Sequence, residues 1–124
     1  MLRRAVDRPT PDAVVELGEL RVDLARRRVT RGSTEIHLTP IEYDLLRTLV
    51  AHPGKVLTHK AIIQEVWGPG YGESHLLRVH IAALRRKIER DARNPEVIET
   101  VTGVGYRIRE PEPRESAPAV LPAS

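Results

Sequence analysis

The stretch ESHLLRVHIAALRRKIER, residues 73–90, decides how the rest of the chain can fold. Glu73 and Ser74 suit the start of a helix, where an N-cap and a negative charge are favourable. At 3.6 residues per turn the large apolar side chains then share one narrow stripe: Leu77, Ile81, Leu84 and Ile88. A neighbouring face carries Arg78 and Arg85 with alanines between them, so the helix can approach a surface closely. The pattern predicts either a solvated amphipathic helix or a helix that enters a DNA major groove.

The composition is that of one globular domain. The chain has 124 residues, of which 40% are hydrophobic and 30% charged, enough for a modest single core. There is no Phe and no Cys, so thiol and disulfide chemistry are excluded. No apolar run has the length of a membrane span or of a signal peptide, and we expect a cytoplasmic protein. The net charge of +3 is only mildly basic, so affinity for a polyanion must depend on where the charges lie.

Composition also divides the chain into three parts. Residues 1–13 combine arginines with prolines and have little to bury, so we expect a linker. Residues 110–124, EPEPRESAPAVLPAS, contain four prolines and predict a disordered tail. The folded domain is therefore expected at residues 14–109.

Residues 15–38 alternate apolar and polar positions in the period of a strand. Turn signals at residues 18–19 and 32–33 divide the segment, and three or four short antiparallel strands fit it. The arginine run at residues 26–28 lies near a turn. It is either a nucleic-acid patch or a solvated hairpin, and the lack of interleaved aromatic or glycine residues favours the hairpin.

Two helices are predicted between these strands and the arginine-rich helix. Residues 39–42, TPIE, have the pattern of a capping box with proline at the first helical position. Apolar residues at helical spacing follow as far as Val50, and Pro53 with Gly54 ends the helix. Thr58 is suited to cap a shorter second helix that ends near Trp67, because the glycines and proline that follow cannot continue it.

Residues 97–108 predict a hairpin beyond the third helix. Val97, Ile98 and Val101 indicate one strand, Tyr106 and Ile108 a second, and the turn is TGVG at residues 102–105. This order of elements is that of a winged helix-turn-helix: a second helix, a loop, a third helix with exposed arginines, and a hairpin. In that fold the third helix enters the major groove and the hairpin is the wing at the flanking phosphates or minor groove.

Four segments in this order resemble the OmpR/PhoB-type effector domain of two-component response regulators. They are LTPIEYDLLRTLVAHPGKVLT at 38–58, VWG at 66–68, LLRVHIAALRRKIE at 76–89 and ETVTGVGYRI at 99–108. Within that family LTPIEY, VWGPGYG and TGVGYR resemble the branch that controls potassium-uptake operons. The resemblance implies an α+β winged helix-turn-helix fold: an N-terminal four-stranded antiparallel sheet, a three-helix bundle and a C-terminal β-hairpin wing.

The resemblance also assigns roles to single positions. Arg78 and Arg85 look like residues that read base edges, each with about 1–3 kcal/mol of discrimination when bidentate to guanine. Contacts to the DNA backbone, or support for them, are implied for Thr58, His75, His80, Arg86 and Lys87. The wing is implied to comprise Thr102, Gly103, Val104, Gly105 and Arg107. Thr102 stands where some relatives have an arginine that probes the minor groove, so strong minor-groove reading is not expected.

The partners follow from the same resemblance. Double-stranded promoter DNA is the expected ligand, bound by a monomer that forms head-to-tail dimers only on DNA. One loop corresponds to the segment with which relatives contact RNA polymerase, often its sigma subunit: Trp67, Gly68, Pro69, Gly70, Tyr71 and Gly72. Residues 1–13 are too few to form a receiver domain, and we expect them to be the tail of one that residues 1–124 do not include. A sensor histidine kinase and the phosphorelay would act through that absent domain.

Two other classes of function were weighed against DNA binding. A winged-helix protein-interaction module usually has acidic or apolar residues in place of the exposed arginines, whereas this chain retains Arg78 and Arg85. An enzyme is not indicated, because the sequence has no nucleophile elbow, glycine-rich phosphate loop or paired-carboxylate spacing. His75 and His80 are five residues apart and do not share a helix face, so no metal or cofactor is expected.

Overall fold

The computed structural model describes residues 14–70 and 74–111, and within these ranges the chain forms two antiparallel sheets and three helices. The first sheet contains β1 (Val14–Leu17), β2 (Leu20–Asp23), β3 (Arg28–Arg31) and β4 (Thr34–Ile36). The helices are α1 (Pro40–Val50), α2 (His59–Val66) and α3 (Ser74–Ile88). The second sheet contains β5 (Val56–Thr58), β6 (Ile98–Val101) and β7 (Gly105–Ile108). The predicted α+β fold is confirmed, while the expected linker, the expected tail beyond Pro111, and Tyr71, Gly72 and Glu73 lie outside the described residues.

The N-terminal sheet is a meander in the order β1-β2-β3-β4. The predicted turns are present, and Gly18 and Gly32 have φ of 68° and 60°, a left-handed conformation that glycine adopts readily. One face of the sheet packs on the helices with four buried side chains: Leu17, Leu20, Val22 and Val29. The segment therefore forms four strands, with one apolar and one polar face.

The arginine run at residues 26–28 lies in a solvated hairpin. Arg26 pairs with Asp23 at 3.2 Å, and Arg28 pairs with Glu35 at 3.2 Å. The guanidinium carbon of Arg27 lies 4.1 Å from the centroid of the Tyr43 ring. All three guanidinium groups have partners on the domain surface, which favours the hairpin interpretation over a nucleic-acid patch.

Both predicted helix caps are present. Thr39 Oγ1 accepts a hydrogen bond from Glu42 N at 3.2 Å, and Glu42 Oε1 accepts one from Thr39 N at 3.0 Å. This reciprocal capping box fixes the start of α1. Thr58 Oγ1 accepts a hydrogen bond from Ala61 N at 3.0 Å and caps α2, which ends immediately before Trp67.

The core lies where the three helices meet the two sheets. The predicted apolar stripe of α3 is at most 1% exposed along its whole length: Leu77, Ile81, Leu84 and Ile88. It packs with buried residues of the other two helices, among them Leu45, Leu49 and Ile62. Full burial of each such side chain contributes about 1.5–3 kcal/mol, so the stripe fixes which side of α3 faces inward.

The second sheet differs from the sequence prediction, because β5 adds a third strand to the expected hairpin. The strand order is β5-β7-β6, with Leu57 opposite Tyr106 and Thr58 opposite Gly105. Gly105 was predicted in the turn but begins β7. A Cβ at Gly105 would lie 1.8 Å from the carbonyl oxygen of Leu57, so only glycine permits this close approach of the two backbones.

A buried carboxylate joins the end of α3 to β6. Glu89 accepts hydrogen bonds from the backbone N–H groups of Glu96, Val97 and Ile98, at 2.8 to 3.0 Å. Arg31 of β3 donates to the carbonyl oxygen of Ile88. The last turn of α3 is thereby tied to both sheets, and this fixes where the wing starts.

Candidate nucleic-acid interface

The exposed side of α3 carries an arginine that faces solvent. Arg78 is exposed, and within residues 14–70 and 74–111 its side chain makes no hydrogen bond or ion pair. His75, Ala82 and Arg86 are also exposed on α3. Val79 is 49% exposed on the same helix. This surface, which we call the α3 face, is therefore both basic and closely approachable.

Arg85 is not part of that open surface. Its side chain is half-buried, and Nη2 donates to the carbonyl oxygen of Ile98 at 2.7 Å and to Thr100 Oγ1 at 2.8 Å. The guanidinium carbon lies 5.5 Å from the centroid of the Tyr106 ring. Burial lowers the pKa of the Arg85 guanidinium, which nevertheless stays protonated at neutral pH. The structure thus separates the two arginines that the sequence placed together, and base reading by Arg85 stays a prediction.

Two of the expected backbone contacts have partners inside the domain. Lys87 Nζ lies 2.6 Å from Glu42 Oε1, on the side of α3 that meets α1. The ring centroids of His80 and Trp67 are 5.5 Å apart, with an angle of 46° between the planes. Lys87 and His80 therefore join α3 to its neighbouring helices, and a phosphate contact by either stays a prediction.

Glu42 is the buried member of the pair with Lys87. Burial alone would raise the pKa of its carboxyl, but hydrogen bonds from Lys87 and Thr39 outweigh that effect and lower it. The carboxylate is consequently charged at neutral pH, with donors from two elements. The start of α1 and the last turns of α3 share this one acceptor.

The start of α2 contacts the wing. The backbone N–H of His59 donates to the carbonyl oxygen of Val104 at 3.3 Å. The His59 and Tyr106 rings meet edge to face with centroids 5.5 Å apart. Thr58 is exposed and its oxygen caps the helix, so its hydroxyl hydrogen remains available to an outside acceptor.

The wing has an exposed turn and a paired arginine. Thr102, Gly103 and Val104 are exposed, whereas Gly105 is buried against β5. Arg107 donates through Nε and Nη2 to Glu99 Oε1, at 2.9 and 2.6 Å. The guanidinium of Arg107 is therefore neutralised by a carboxylate of the same hairpin.

The loop after α2 is described only in part. Trp67 and Gly68 are half-buried, and Pro69 and Gly70 are exposed. Tyr71 and Gly72 lie outside the described residues. The four described members agree with a surface loop and leave the expected polymerase contact a prediction.

Sequence reasoning missed the residues that hold α3 against the wing. They are Glu89, Ile98, Thr100 and Tyr106. The glycine-rich turn could have predicted the register of the hairpin, in which Thr100 lies opposite Tyr106. The approach of α3 to β6 is a tertiary contact with no local sequence signal.

The described part of the chain has neither a metal-ligand cluster nor a membrane-spanning helix. No group of three or more His, Cys, Asp or Glu side chains there is placed to hold a metal ion. No helix in that part is long and apolar enough to cross a membrane. A basic helix beside a winged hairpin instead defines a winged helix-turn-helix domain, a class that binds DNA.

Comparison with known proteins identifies the family. The family described as "Transcriptional regulatory protein, C terminal" matches residues 33–108. KDP operon transcriptional regulatory protein KdpE of Escherichia coli is 46% identical over 107 residues, which cover 86% of this chain and 48% of that protein. DNA-binding response regulator MtrA of Mycolicibacterium smegmatis is 39% identical over 111 residues, covering 89% of this chain and 48% of that protein. The chain belongs to the OmpR/PhoB-type DNA-binding domains of response regulators.

A solved structure supports the same family. The Klebsiella pneumoniae RstA DNA-binding domain in complex with the RstA box superposes with a TM-score of 0.71 at 29% identity, over 77% of this chain and 96% of that chain. The likeness to KdpE agrees with the branch predicted from sequence. The chain spans about half the length of the curated relatives it matches.

Proposed function

We propose that this chain is the sequence-specific, double-stranded DNA-binding effector domain of a two-component response regulator that controls transcription. The observation that carries the proposal is the exposed guanidinium of Arg78, on the α3 face and without a partner in the described domain. Such a group offers the paired N–H donors that recognise O6 and N7 of guanine. The likeness to an RstA domain crystallised with its RstA box supports the assignment.

The contacts divide between reading and positioning. We infer that Arg78 reads a base edge in the major groove, while Arg86 and His75 contact phosphates on either side. Thr58, at the start of α2, donates its hydroxyl to a further phosphate, helped by the positive end of the helix dipole. The exposed wing turn, residues 102–104, lies at the flanking backbone.

The further partners belong to the parent protein. We propose that residues 67–72 contact RNA polymerase, and that two copies of the domain bind a direct-repeat site head to tail. A sensor histidine kinase would act through a receiver domain of the kind that fills the rest of a response regulator. The proposal includes a cytoplasmic location and no enzymatic activity or cofactor.

The regulated gene set is proposed from the likeness to KdpE, a regulator of the KDP operon. We propose that this domain controls a potassium-uptake operon. The chain is 46% identical to KdpE and 39% identical to MtrA. Because these values are close, the preference for a potassium-uptake promoter needs a direct binding test.

Fluorescence anisotropy tests the proposal. The domain is titrated with a labelled potassium-uptake promoter fragment and with a scrambled duplex, each across a salt series. We expect preference for the promoter to persist as salt rises, since base contacts depend less on salt than phosphate contacts do. Equal binding to both duplexes would contradict the potassium assignment.

Two variants separate the roles within the α3 face. Arg78→Ala should remove about 1–3 kcal/mol of discrimination and affect the scrambled duplex much less. The matched control, Arg86→Ala, should weaken both duplexes alike and flatten the salt slope by about 0.9. Absence of binding to any duplex would favour the alternative, a winged-helix protein-interaction module.

A further inference from the structure

We propose that Arg85 is a positioning residue that joins α3 to the wing, so that the two DNA-contacting elements bind as one rigid unit. The inference rests on the proposed DNA-binding function but replaces the base-reading role that the family resemblance implies for Arg85. It follows from how the donors of this guanidinium are used.

Part of the Arg85 guanidinium already donates hydrogen bonds to β6. A guanidinium has five N–H donors, two of them on Nη2. Both Nη2 donors are used, one by the Ile98 carbonyl oxygen and one by Thr100 Oγ1. Nε is buried and has no hydrogen-bond partner within the described residues. Only Nη1 remains for an outside acceptor.

This arrangement is incompatible with bidentate reading of guanine. A bidentate contact takes one N–H from each of two neighbouring nitrogens, either Nη1 and Nη2 or Nε and Nη2. Both pairs include Nη2, whose donors already bind β6. Arg85 would have to release the wing in order to read a base, whereas Arg78 has no such bonds to break within residues 14–70 and 74–111.

The position of Arg85 along α3 suits a residue that holds the helix and the wing together. We call its contacts with Ile98 and Thr100 the clamp. Arg85 and Glu89 are four residues apart and therefore lie on the same side of the helix, one turn from each other. Glu89 binds the N–H groups that begin β6, and Arg85 binds acceptors at Ile98 and Thr100. Tyr106 of β7 lies across the guanidinium, 5.5 Å from its carbon. The end of α3 therefore binds β6 at two successive turns, and at the Arg85 turn it also contacts β7.

The role predicts a particular pattern of DNA affinity. Loss of a base-reading residue abolishes discrimination at one base pair. Loss of a clamp lets the wing move relative to α3, which weakens binding to every duplex by the same factor and leaves the preference at each base pair intact. The two roles are therefore distinguishable even when both variants bind less tightly.

The experiment uses the full 124-residue chain and a duplex selected by it from a random-sequence library. Affinity is measured for that duplex and for each of its single-base-pair variants. We expect Arg85→Ala to weaken all of them by a common factor of about ten. The comparison variant, Arg78→Ala, should instead flatten the response at one base pair.

A conservative variant and a double-mutant cycle test the clamp itself. Arg85→Lys keeps a donor for β6 and should restore most of the affinity, whereas Arg85→Met should not. Thr100→Val should weaken binding in the wild-type background and have little further effect beside Arg85→Ala. Additive losses, or loss of discrimination at one base pair in Arg85→Ala, would overturn the proposal.

Amide hydrogen exchange of the free protein keeps the test independent of DNA. Arg85→Ala should speed exchange in β6 and β7, and Arg86→Ala should not. If the chain selects no duplex, the proposed DNA-binding function fails while exchange still tests the clamp. Unchanged exchange in Arg85→Ala would contradict the clamp whether or not DNA binds.

Discussion

Lys87 of α3 and Glu42 of α1 form an ion pair of 2.6 Å, and the same carboxylate oxygen accepts the backbone N–H of Thr39. Glu42 is only 4% exposed. A buried carboxylate that loses a partner is destabilising, because its desolvation is no longer compensated. This pair therefore links the start of α1 to the end of α3, while Lys87 itself stays exposed.

Lys87→Met should lower the free energy of unfolding by about 1–2 kcal/mol, since the lysine end of the pair is partly solvated and its Coulomb energy is screened. Urea unfolding measures this. Lys60→Met, at an exposed position of α2, is the matched control and should change little. Unaltered stability in Lys87→Met, together with a flatter salt dependence of DNA binding, would make Lys87 a phosphate contact instead.

Lowering the pH should weaken the ion pair between Glu42 and Lys87. The pKa of Glu42 is lowered on folding from its ordinary value of 4.5. The stability that its charge contributes is complete above that value and is lost as the pH falls through the lower pKa of the folded state. The difference in unfolding free energy between wild type and Glu42→Gln should thus shrink below about pH 4.5. Glu65→Gln, an exposed control on α2, should follow wild type throughout.

Gly105→Ala should separate β5 from β7. The added methyl group would meet the Leu57 carbonyl oxygen at 1.8 Å, so the backbones must move apart. We expect a loss of stability near the upper end of the about 1–3 kcal/mol range for overpacking. Gly103→Ala is the control, because its φ of 79° strains an alanine but no atom lies within 4 Å. Thermal unfolding compares them, and equal losses would mean that the Leu57 contact relaxes freely.

Glu89→Ala should destabilise the start of β6. The buried backbone N–H groups of Val97 and Ile98 would lose their acceptor at a cost of about 1–3 kcal/mol each, whereas the N–H of exposed Glu96 can bond to water. Glu89→Gln retains one acceptor oxygen and should fall between Ala and wild type. Chemical unfolding with hydrogen exchange at residues 96–98 checks the order. A Gln variant as stable as wild type would show that the carboxylate charge contributes nothing.

Features set by local interactions were predictable from the sequence. The capping box of α1 and the apolar stripe of α3 depend on residues within a few positions of each other, and the structure has both where the pattern put them. Alternation and turn glycines are also local signals, and they predicted three or four N-terminal strands, of which the structure has four. Family resemblance supplied their order in space.

Features set by distant contacts were not predictable. β5 shows no alternation, because its apolar residues Val56 and Leu57 are adjacent, and it can pair with β7 because Gly105 admits its backbone. Arg78 and Arg85 lie two turns apart on one side of α3 and were indistinguishable by spacing. Only the approach of β6 to the later turns of α3 separates them. The ion pair of Lys87 with Glu42 was likewise not predictable, because it depends on the approach of α1 to α3.

The fluorescence of Trp67 can be used to follow the arrangement of α2 and α3. This residue is the single tryptophan of the sequence and stands at the junction of α2 and α3, with its ring centroid 5.5 Å from that of His80. Indole emission responds to solvent and to a neighbouring imidazole, so the fluorescence of the unlabelled protein records how these two helices sit together. A shift of the emission spectrum when DNA is added would indicate that α2 and α3 move relative to each other on binding. An unchanged spectrum would indicate that the two helices bind DNA without rearranging.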